Sequence, residues 1–224
     1  DKERGIVLEE LRLGKGASDR MSKQIMPAMF NGSRYAERLP IGTEDVLRNF
    51  TPDALKRFYR DWYRPDLMAV VVVGDIDPGQ AEKLVKSHFA HLKNPQPSRP
   101  RAYAEIPARQ STQAPVVTDQ EATGNAVLIR YPVQKVEEAG TIRAYRDDLV
   151  QSLFAAMLNQ RLQELSQLPE PPFMGASSSL GKLTPRYRSY NASAALGPRG
   201  AEVALSALVE ENERARRYGF GAAE

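Results

Sequence analysis

"LMAVVVVGDID", residues 67–77, limits the fold of this chain more than any other stretch. It is apolar on both of the faces that a strand presents, so it reads as a strand inside a sheet covered on both sides. Helical patterns flank it. Thr51 is an N-cap candidate and Pro52 suits a first turn. Leu55, Phe58, Tyr59 and Trp62 then recur at i, i+3, i+4, i+7. After the run, Asp77 and Pro78 restart a helix whose stripe is Ala81, Leu84, Val85, His88, Phe89 and Leu92. A helix, a buried strand and a helix in succession call for a layered domain with a mixed sheet.

Helical spacing also covers residues 2–13 and 18–30, the latter through Met21, Ile25, Met26 and Met29. "KNPQPSRPRAYAEIPARQSTQAP" is rich in proline and has little periodicity, so it reads as a linker. Beyond it, "NAVLIRYP" reads as a strand, and a long helix is expected from about Thr141 to Leu165. "PFMGASSSLGK" and "RYRSYNASAAL" read as two strands around a Thr184–Pro185 turn, followed by a helix from about Pro198 to Tyr218. The expected fold is α+β, a mixed sheet with helices packed on it. The expected layout is one domain in 1–95, a Pro-rich linker in 96–114 and a second domain in 115–224.

Composition excludes several chemistries. There is no cysteine, which removes disulfides, thiolate catalysis and Cys-type zinc sites from this chain. No apolar run approaches transmembrane length. The 31 basic and 28 acidic residues nearly balance at +3, so a pI near 9.1 gives little support for a polyanion partner. "RYRSY" (186–190) alternates cations and aromatics, but strand alternation accounts for it by placing Tyr187 and Arg188 on opposite faces. No nucleic-acid partner is expected. "GASSSLG" (175–181) lacks the lysine and helix entry of a phosphate loop and reads as a strand of small residues.

The first helix raises a different question. At 100° per residue, Ile6, Val7, Leu11 and Leu13 share a broad arc, and Glu3 and Glu10 fall inside it. An ionised carboxylate in an apolar stripe is costly unless paired or bound to a metal. Two readings stand. Either the helix is only partly buried, with Arg4 or Arg12 pairing the acids, or the acids face a cation. Seven residues separate the two, about 10 Å along the axis, so one ion does not take both as direct ligands.

Three ordered stretches, "ERGIVLEELR", "RLPIGTEDVLRNFTPDALKRFYRDWYRPDLMAVVVVGDID" and "LFAAMLNQRLQEL", resemble the pitrilysin/insulinase-type metallopeptidases, the inverzincins, and their bacterial members above all. In that family zinc is held by two histidines of an H-x-x-E-H helix and a distant glutamate, and the motif glutamate activates the zinc-bound water. The resemblance implies that Glu10 is the third zinc ligand and that Glu3 is an acid supporting the site without direct ligation. It also implies zinc as cofactor, hydrolysis of peptides or unfolded polypeptides, and two similar domains, of which only the first binds zinc.

This chain departs from the pattern in having no H-x-x-E-H. Its two histidines, His88 and His91, form "HFAH" at the end of an amphipathic helix, where His suits the helix dipole better than it suits a metal. The expectation is therefore an internal part of a zinc endopeptidase, inactive by itself, with the H-x-x-E-H segment and a second module or subunit as partners. The alternative is a non-catalytic, peptide-binding partner subunit of an inverzincin-type heterodimer. A periplasmic location is expected by resemblance, with a cytoplasmic one as the alternative.

Overall fold

The computed structural model describes residues 3–136, 140–222 and 224. The chain is α+β and divides into two compact units, one of residues 1–14 and 38–103, the other of residues 15–37 and 104–224. The expected helix start at Lys2 lies outside the described residues.

The first unit is helical. It holds α1 (Arg4–Leu13), α3 (Glu44–Asn49), α4 (Pro52–Trp62) and α5 (Pro78–Phe89), with a short 3-10 turn at Pro65–Leu67. Thr43, Thr51 and Asp77 cap α3, α4 and α5 by accepting backbone N–H groups of Val46, Ala54 and Gln80. Arg64 is the buried anchor of this unit. It donates to the carbonyl of Arg99 at 2.8 Å, and Asp66 N–H donates to Asn94 Oδ1 at 3.2 Å. Together they tie the turn to the proline-rich segment.

The 68–73 run forms no regular element, and among the described residues it has no ladder partner. Val71 is 80% and Val73 91% exposed. The expected buried strand is therefore absent for a physical reason: a strand exists only with a neighbour to receive its N–H and C=O groups, and this unit supplies none. The α4 stripe fares similarly, with Leu55, Phe58 and Tyr59 exposed.

The second unit holds the core. Its elements are α2 (Ala17–Phe30), β1 (Ala126–Arg130), β2 (Gln134–Lys135), α6 (Ile142–Ser166), β3 (Gly175–Thr184), β4 (Tyr187–Ala195) and α7 (Gly200–Tyr218). All described pairings are antiparallel, with β4 central, β3 on one side and β1 and β2 on the other. The β3–β4 hairpin turns at Pro185–Arg186, with a register irregularity between Lys182 and Thr184.

Alternation along β4 sorts the two faces. Ala192 and Ala194 are small enough for α6 and α7 to come close, and Leu158, Leu162, Phe173, Ala204 and Leu208 fill the space at full burial. Each such large side chain contributes roughly 1.5–3 kcal/mol. Tyr187 faces the other way and packs with Phe30 and Ile106. Asn31, left-handed at φ 47°, ends α2 and donates to the carbonyls of Pro107 and Ala108, holding the Ile106 strap in place.

Candidate functional site

Two places in the chain carry groups beyond the needs of packing. The first is the outward face of α1. Arg4 does not pair with Glu3. Its guanidinium donates to the carbonyls of Leu47, Arg48 and Phe50 at the end of α3 and stacks 4.3 Å from the Phe50 ring. Those carbonyls are the orphans of a helix C-terminus, so a cation there is doubly favoured. Arg12 pairs with Glu9 at 2.8 Å. Both arginines that were candidate partners for the two acids are thus engaged elsewhere.

The orientation of α1 follows from the Arg4 anchor. Arg4, Val7, Leu8 and Leu11 are half-buried, whereas Glu3, Ile6, Glu10 and Leu13 are exposed. Ile6 is 61% and Leu13 76% exposed. The arc inferred from the sequence is split. Val7 and Leu11 face inward, while the two carboxylates sit outward beside two large aliphatic side chains. Among the described residues neither carboxylate has a hydrogen-bond or ion-pair partner.

The donor set decides what metal chemistry this chain holds alone. Zinc takes at least three protein ligands in catalytic sites and four in structural ones. Among the described residues no three His, Asp or Glu side chains gather to hold a metal ion. Glu10 offers one oxygen ligand and Glu3 lies two helical turns away. His88 sits in the last turn of α5 and His91 beyond its end, both exposed. The described residues do not by themselves build a zinc site.

The second place is a cleft of about 520 Å³ between the first half of α6 and the outer edge of β3. Asn159 of α6 closes one end. Its Oδ1 accepts the backbone N–H of Ser178 at 2.6 Å and its Nδ2 donates to the Ser178 carbonyl at 3.1 Å. An antiparallel residue points its N–H and C=O to the same side, so Ser178 turns both away from β4 and Asn159 stands in for a neighbouring strand. Leu180 and Lys182, two and four residues on, reach the open part of the cleft. Arg143, Asp147, Asp148 and Gln151 line the helical wall, and Arg188 stands beside Lys182 on the sheet wall.

Tyr187 and Arg188 do point to opposite faces, Tyr187 into the core and Arg188 into this cleft. Sequence reading passed over the cleft itself. The usable signal was the turn at Thr184–Pro185: once the hairpin is placed there, residues symmetric about it, such as Lys182 and Arg188, become cross-strand neighbours.

Residues 49–224 match the family model described as the peptidase M16 inactive domain. The chain is 38% identical over 189 residues to the "Zinc protease PQQL-like" of Arabidopsis thaliana, covering 84% of this chain and 20% of that protein. It is 29% identical over 225 residues to the "Probable zinc protease PqqL" of Escherichia coli K12, covering 100% of this chain and 24% of that protein. The chain thus spans a fifth to a quarter of the length of these relatives. The crystal structure of the first half of the periplasmic protease PqqL from Escherichia coli superposes over 100% of this chain and 47% of that one, with TM-score 0.85 and 28% identity. An antiparallel sheet with helices packed on it and a sequence without H-x-x-E-H agree with these matches, and the chain belongs to the peptidase M16 family.

Proposed function

We propose that this chain is part of a zinc-dependent endopeptidase of the PqqL kind, in which Glu10 is one of three zinc ligands and the two histidines come from an H-x-x-E-H helix outside these 224 residues. The observation that carries the reading is the state of Glu10: a carboxylate with no partner among the described residues, set outward between Ile6 and Leu13, on a helix whose rotation is fixed by Arg4. Exposed Ile6 and Leu13 suit a helix laid against this face, and such a helix would bring the remaining ligands to Glu10. Glu3, on the same face, would orient a ligand or hold a proton nearby without binding the metal.

When bound, zinc supplies Lewis acidity to the peptide carbonyl and lowers the pKa of water. This chain's own contributions are an anionic ligand on a fixed helix and a surface for the peptide. β3 beyond Ser178 leaves backbone edge groups open, and an extended polypeptide pairs with such an edge. Unfolded peptides are therefore the substrate class, and residues 1–95, 96–114 and 115–224 are read as zinc-binding domain, linker and non-zinc-binding domain. The periplasm is the proposed compartment, by analogy with the Escherichia coli protease; among the described residues no helix is long and apolar enough to cross a membrane.

Glu10→Gln in the intact protein tests the reading through two measurements. Bound zinc per protein should fall sharply, and turnover of an unfolded polypeptide should fall by at least about 10²-fold, as for loss of a group acting directly at the metal. Full zinc content and unchanged turnover would refute the assignment. The match to an inactive domain favours a second reading, a non-catalytic peptide-binding subunit. That reading expects peptide binding with no zinc bound in either the parent or the variant.

A further inference from the structure

The hairpin register sets the chemistry of the cleft between α6 and β3. Lys182 stands opposite Arg188 in the ladder, with Gln134 on the other side of Arg188. Like charges facing each other across a ladder repel. Among the described residues neither cation has an ion-pair partner. Arg188 Nη1 donates to Gln151 Oε1 at 3.1 Å, and Arg188 Nε is buried with no acceptor. A buried donor left unmatched is costly, and a charged one more so.

The opposite wall has no such deficit. Asp147, Asp148 and Arg143 are exposed and keep their water. The unbalanced element of the cleft is therefore the pair of like charges facing each other on the sheet, Arg188 half-buried and Lys182 exposed. A ligand that relieves it must bring acceptor oxygens with negative charge. A carboxylate does this by pairing with the Arg188 guanidinium, which lines the cleft, and with the Lys182 ammonium beside it. Leu180 and Lys182 also present the strand edge to the same cleft, so the carboxylate can arrive on an extended chain.

We propose that this cleft binds extended peptides through a carboxylate seated between Lys182 and Arg188. The proposal rests on the peptide-holding role given above to the second unit, and adds the charge that this unit selects. The carboxylate belongs either to an acidic side chain or to a peptide C-terminus.

Fluorescence anisotropy on the full 224-residue chain tests it, with labelled Thr/Val/Ser-rich peptides carrying a central Glu, Gln or Lys, each as free acid and as amide. The Glu peptide should bind about tenfold more tightly than the Gln peptide, the difference expected for one charge-assisted contact. A preference that follows the free acid, whatever the central residue, would identify the C-terminal carboxylate as the ligand. Lys182→Glu, at an exposed position, places an anion opposite Arg188 and should turn the preference toward the Lys peptide; Lys182→Gln should abolish it without reversal, with unchanged circular dichroism in both. Equal binding of all three peptides would overturn the charge selection while leaving the peptide-holding role intact. Absence of binding by any peptide would overturn both.

Discussion

Arg161 shows how much one side chain organises in the second unit. It lies in the buried face of α6, and its Nη2 donates to the carbonyl of Gly219 at 2.9 Å and to Glu224 Oε2 at 2.8 Å. Its guanidinium also stacks 4.5 Å from the Phe220 ring, so the chain after α7 is held to α6 by charge and aromatic contact at once. The Arg161 hydrogen bonds, with a further one from the backbone N–H of Gly221, hold the Glu224 carboxyl at about 2, against an ordinary 4.5. A carboxyl whose pKa is depressed by folding stabilises the fold above its unfolded pKa and loses that contribution as pH falls through the folded one. Wild type should therefore exceed Glu224→Gln in urea midpoint by a constant margin above pH 4.5, and the margin should close between pH 4.5 and 2. Asp119, beside Arg20, and Glu213, beside Arg216 and Arg217, are held at about 2 as well, so the difference between the two proteins is the quantity to follow. A margin independent of pH would show that the Arg161–Glu224 contact does not depend on the charge of Glu224.

Among the elements, β3 depends most on a single residue outside the sheet. One edge pairs with β4, and Asn159 takes both outward backbone groups of Ser178. Asn159→Leu keeps the volume and removes both partners, which should cost about 1–3 kcal/mol in urea unfolding. A cost below about 0.5 kcal/mol would mean that water reaches this edge and replaces the amide. The strand itself was legible in the sequence; its dependence on α6 was not. Elements that carry their own punctuation were read within a residue or two: Thr51 and Pro52 opened α4, Asp77 and Pro78 opened α5, Thr141 capped α6, and the Thr184–Pro185 turn fixed the hairpin. Reading failed where the outcome rests on distant partners. The 68–73 run has strand composition but no neighbour to pair with among the described residues. The arc of α1 was drawn from the apolar residues, whereas Arg4, by capping α3, sets which side faces in. For the candidate site, the letters of "ERGIVLEELR" singled out Glu3 and Glu10, and the cleft at Lys182 and Arg188 stayed hidden because it exists only once a strand and a helix from separate segments come together.

At the scale of the molecule the two units differ in kind. Every fully buried apolar residue described lies in the second unit, where α6, α7 and β4 close on one another. The first unit exposes Leu55, Phe58 and the valines of 68–73, and among its described residues only Arg64 is deeply buried. Protection from hydrogen exchange follows buried apolar contact and hydrogen bonding, so the two units should exchange on different scales in the 224-residue chain. Amides of 189–194 in β4 and 158–162 in α6 should open only with global unfolding. Amides of 68–73, with no ladder, should exchange at nearly the rate of an unstructured peptide. In a longer protein of the same family, a strand that pairs with 68–73 would slow those amides by orders of magnitude while leaving β4 unchanged. Strong protection of 68–73 in the 224-residue chain alone would contradict the unpaired edge, and would mean that copies of the chain pair through this segment, a result that dilution would reverse.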